Sequence, residues 1–152
     1  MFSFLRRKTS LLPDEAKKAI VQAIRAAEMR TSGEVRVFVE SRCKYMDAID
    51  RAAEIFYDLQ MEHTEDRNAV LVYVAIKDRQ LAVLGDSGIH EKVGNEYWAN
   101  EVRTMISSFN RDDYAAGIVT CINDIGEALH RFFPYDQSVD KNELPDDIVF
   151  GK

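Results

Sequence analysis

The sequence predicts a single α/β domain, and three observations carry the prediction. Two apolar runs joined by the charged connection Lys77-Asp78-Arg79 form a hairpin between Arg67 and Asp86. A β-branched stretch at 34–40 is followed by an amphipathic helix that leads into that hairpin, and helical periodicity dominates the remaining chain. At 152 residues the chain is long enough for one domain with a real core and too short for two ordinary ones.

Residues 1–10 read as a flexible terminus whose Arg6, Arg7 and Lys8 are solvated. The domain itself is expected at 11–134. Pro13 with Asp14 and Glu15 starts a helix, because proline suits the first helical position and acids suit the dipole of the first turn. Ala16, Ala19, Ile20, Ala23, Ile24 and Ala27 then place a small-residue stripe on the sheet. Thr31-Ser32-Gly33 ends this helix, and Glu34 to Glu40 is a strand. A loop with Cys43 precedes a second helix near 47–60, with Ile49, Ala52, Ala53, Phe56 and Leu59 on one face. The strand, helix, strand order implies a parallel pair with a right-handed crossover.

The hairpin follows, its first run at 69–76 almost continuously apolar, as a central strand covered on both faces requires. Its second run, 80–84, stops at Gly85-Asp86. Residues 87–94 read as a polar, glycine-punctuated loop with at most a short helical turn. Trp98, Val102, Met105, Ile106 and Phe109 mark a third helix, and Asp112 or Asp113 caps a fourth that carries Tyr114, Ile118, Ile122, Ile125, Leu129 and Phe132 to Pro134. An acidic tail, 135–152, retains only Leu144 and Ile148-Val149-Phe150 as apolar anchors, which either move freely or lie in a surface groove.

Composition narrows the function. A net charge of −6 disfavours general nucleic-acid binding, and no run approaches the roughly 20 apolar residues of a membrane span. Cys43 and Cys121 have neither CxxC nor Cys/His zinc spacing, so two free thiols are expected. The N-terminus lacks the charge-first order of a secretory signal, which makes a cytoplasmic location the simplest expectation. Glycine-rich phosphate loops, HExxH, GxSxG and the EF-hand pattern are all missing, and His63, His90 and His130 share no ligand spacing.

Topology concentrates what remains. Parallel strands start at one edge, and the hairpin brings the end of its second strand to the same edge, so Ser32-Gly33-Glu34, Arg67-Asn68 and Gly85-Asp86 converge on one rim. Glu34 and Asp86 offer carboxylates there and Asn68 an amide oxygen, hard ligands suited to calcium or magnesium, with Arg67 beside them. A purely structural arrangement fits the same residues: Asp86 caps the following turn, Arg67 neutralises Glu34, and Asn68 initiates the strand.

The chain resembles the TPM domain family, which includes the thylakoid-lumen acid phosphatase. The resemblance is carried over roughly 14–133 by TSGEVRV at 31–37, RAAEIFYDL at 51–59, TEDRNAVLVYVA at 64–75, LAVLGDSGI at 81–89 and DDYAAGI at 112–118. It implies a three-layer α/β/α sandwich with a small mixed sheet and an acidic site that binds a divalent cation in some members. Phosphatase activity is attributed to a plant relative. The matching site positions are Glu34, Asn68 and Asp86 for metal and Arg67 for phosphate, with Asp50 and Glu54 added from the second helix. Ala69 stands where a glycine often follows the asparagine. Two functions are expected on this basis: a calcium- or magnesium-binding domain with weak phosphatase activity, or a non-catalytic module that docks a partner protein.

Overall fold

The computed structural model describes residues 11–135 and 148–151. In chain order the elements are α1 (Asp14–Glu28), β1 (Glu34–Glu40), α2 (Ala48–Asp58), β2 (Ala69–Ala75), β3 (Gln80–Gly85), α3 (Ser87–Asn110), α4 (Tyr114–Phe132) and β4 (Val149–Phe150). The strands form one mixed sheet in the order β3-β2-β1-β4, with β1 parallel to β2 and β4, and β2 antiparallel to β3.

Strand alternation sorts the core into two halves. Val35, Val37 and Val39 of β1 join Val70, Val72 and Val74 of β2 under α1, α3 and α4. Phe38, Leu71, Tyr73 and Ala82 face the other way, against Ala52, Ile55 and Phe56 of α2. The result is the expected α/β/α sandwich, with three of the helices among the described residues on one face and the fourth on the other. Both middle strands are buried along their whole length, as their continuous apolar character requires.

Three sequence expectations are corrected. Residues 87–93 are helical: Asp86 accepts a hydrogen bond from Ser87 N and caps α3, which continues past a break at Gly94, where φ is 78°. The glycine divides α3 into two helices, one before and one after position 94. In α2, Ile55 occupies the core and Ile49 is 48% exposed, so the apolar face is rotated from the expected one. At the tail, Val149 and Phe150 pair with Phe38 and Val39 as a short fourth strand, where a groove contact or a free end was expected. The expected loose terminus 1–10 and Leu144 lie outside the described residues. Among the described residues no helix is long and apolar enough to cross a membrane, and Cys43 and Cys121 are unbridged.

Candidate functional site

Glu34 pairs with Ala69 in β1 and β2, and Asp86 N donates to Ala69 O across 2.9 Å, so the three expected segments do meet at one rim. Asp86 is only 7% exposed, and its carboxylate receives a two-point contact from Arg67, Nε to Oδ2 at 2.6 Å and Nη2 to Oδ1 at 2.8 Å. This is the bidentate geometry in which arginine holds a carboxylate most firmly. Arg67 therefore neutralises Asp86, whereas the purely structural arrangement paired it with Glu34. The Arg67 guanidinium is half exposed, and its hydrogen bond to Asp86 raises its pKa further above the ordinary value.

The backbone here is tightly held. Arg67 adopts φ 52°, an uncommon conformation for a side-chain-bearing residue. Gly88 N donates to Arg67 O at 2.8 Å, and a Cβ at Gly88 would lie 2.0 Å from Asp66 O, so only glycine fits this approach. Asn68 is buried; its N–H donates to Thr64 Oγ1 and its Nδ2 to Ser32 Oγ. Its Oδ1 is sealed from solvent and makes no hydrogen bond among the described residues. Glu34, also buried, lies on the α2 face of the sheet together with Phe38 and Glu40, by strand alternation. Small Ala69 separates it from Asp86.

Asp50 and Glu54 stand elsewhere. They are exposed on α2, and Glu54 is bonded to Arg51, whose Nε and Nη2 reach Glu40 at 2.9 and 3.1 Å at the carboxyl end of β1. Glu40 also accepts from Tyr73 Oη at 2.5 Å. Burial, then the Glu40 contact, pushes the Tyr73 phenol well above its usual range. This cluster borders a cleft of about 630 Å³ that includes Cys43, Lys44 and Tyr45. Sequence reasoning missed the cluster, although acidic Glu40 closing a strand otherwise dominated by valine was its signal. Among the described residues, no group of three or more histidines, cysteines and acids is arranged to hold a metal ion.

A mixed sheet sandwiched between one helix and three, with an arginine-carboxylate pair and a buried asparagine at its amino-end rim, defines a recognisable class of domain. The TPM domain profile matches residues 5–128, and the chain belongs to that family. It is similar over its length to the NMR structure of the BA42 protein of the psychrophilic bacterium Bizionia argentinensis, with 38% identity and a TM-score of 0.85, covering 93% of this chain and 97% of that one. The N-terminal domain of the cg2496 protein of Corynebacterium glutamicum shares the fold at 12% identity, TM-score 0.59, covering 80% and 76%. No curated protein matches the chain.

Proposed function

We propose that this TPM domain binds a divalent cation, calcium or magnesium, at the rim. Asp86 is the principal carboxylate, Glu34 and Asn68 contribute further oxygens, and Arg67 is the group the ion displaces. The observation that carries the reading is Asn68 Oδ1, a buried oxygen without a hydrogen-bond partner among the described residues, one residue along the chain from Arg67, which holds the buried Asp86 carboxylate. Buried polar atoms ordinarily have partners, and a hard cation would supply one. Displacement is inexpensive on the arginine side, since the guanidinium is already half in solvent. Asp50 and Glu54 are left out of this set because they accompany Arg51 and Glu40 at the other end of β1.

Once released, Arg67 is free to hold a phosphate beside the ion, and the ion would polarise a phosphoryl oxygen. No nucleophile or general base was recognisable in the sequence motifs, so turnover of a generic aryl phosphate is expected below about 1 per second. A non-catalytic docking module is the second reading, favoured by the apolar surface at the cleft, where Tyr45 is 90% and Met46 38% exposed. Cation binding without phosphate turnover supports that alternative.

Adding calcium and magnesium separately, with backbone amide shifts followed by NMR, tests the site. Saturable shifts at 32–34, 67–69 and 85–88 are expected. Shifts confined to 47–54, or none at all, would refute the rim as a cation site.

A further inference from the structure

A groove of about 760 Å³ between α3 and α4 shares no residue with the rim. Its floor is unusual. Glu101 is only 6% exposed, and its Oε1 makes no hydrogen bond among the described residues. Tyr97, one helical turn earlier, buries a hydroxyl that likewise lacks a partner there. Asp124 of α4 lines the same groove, and it and the Cys121 thiol lie close enough to Glu101 to influence its ionisation.

No described cation meets these acids. Lys92 and Arg131 line the exposed end of the groove, Glu127 is held by Arg30, and His130 Nδ1 contacts Arg30 O. β3, packed on the other side of α3, carries no charged residue. Two carboxylates and a phenol thus converge on a floor where no described cation is paired with them.

We propose that this groove binds a small primary amine as its ammonium ion, whose three N–H donors meet Glu101 Oε1, Tyr97 Oη and the Asp124 carboxylate. Three donors match three acceptors, a match that a guanidinium with five donors in a planar fork does not make. A calcium ion wants six to eight oxygens, more than this floor provides. Val93 and Phe132, which also line the groove, supply apolar walls for a short alkyl chain.

Proton exchange accompanies binding. Burial, and then the neighbouring Asp124, pushes Glu101 up to about 7, so near neutrality the acid pair retains one proton. The incoming ammonium replaces that proton, which leaves to solvent, and the net charge of the floor is unchanged. Affinity therefore rises about tenfold from pH 6 to pH 8, because a competing proton with a midpoint near 7 is removed over that interval.

The test is a titration of the full chain with n-propylammonium chloride, followed by backbone amide shifts, with n-propanol and tetramethylammonium as controls. Saturable shifts on 92–101 and 121–132 are expected with propylammonium alone, about tenfold tighter at pH 8 than at pH 6 and weakened at least tenfold in Glu101→Gln. If Glu101→Gln fails to fold, Asp124→Asn carries the same expectation. Equal shifts with either control, non-saturating shifts, a flat pH response or wild-type affinity in the folded variant would each overturn the proposal.

Discussion

Glu101 lies between Trp98 and Met105 on the stripe of α3 that faces the core, three residues after one and four before the other. An acid at that spacing is the signal sequence reading overlooks, because hydrophobic periodicity passes over a single polar member. Its consequence is a pH dependence with a definite sign. The ordinary glutamate value is 4.5 and the folded value about 7, so between them the folded chain binds the extra proton. Stability is fully present below the lower value and falls as pH rises through the upper one, by about 3 kcal/mol for a shift of this size. Glu101→Gln removes that dependence. Urea unfolding at pH 4.5 and pH 8 should show the variant gaining on wild type by about this amount, and a constant difference would contradict the buried-acid account. At the rim, the pairing of Arg67 with Asp86 was not legible, since the choice between two acids depends on the φ 52° turn at Arg67, which sequence spacing does not reveal.

At the scale of elements, the hairpin and the crossover were readable because β-branched runs and 3.6-residue periodicities are local properties. The start of α3 was not. Gly88 and Gly94 suggested a loop, yet Gly88 is required by its close approach to Asp66 O, and Gly94 marks the boundary between the two helices of α3. Short β4 escaped notice because two residues carry no periodicity; its place is fixed by pairing with β1 and by Gly151 N donating to Val39 O. Gly94 gives the prediction proper to this scale. Its φ of 78° and ψ of 173° fall in a region essentially reserved for glycine, and Gly94→Ala should cost about 1–3 kcal/mol in urea unfolding. No loss would mean that the two parts of α3 join as a continuous helix in solution.

For the molecule as a whole, the convergence of three distant segments followed from topology. Parallel β1 and β2 with antiparallel β3 place 32–34, 67–68 and 85–86 together, and the register fulfils that expectation. What topology could not supply was the direction of each side chain, so Asp50 and Glu54 joined the site by resemblance although α2 carries them to the Glu40 end of the sheet. The rim is proposed to take a divalent cation, and calcium-dependent thermal unfolding tests that proposal most directly. An ion that binds only the folded state adds about 2.7 kcal/mol at a hundred times its Kd. Calcium is expected to raise the melting temperature of wild type and of Asp112→Asn, whose substitution lies in the exposed α3-α4 turn, while Asp86→Asn shows a much smaller rise. Equal rises in wild type and Asp86→Asn, or no rise in wild type, would contradict the account.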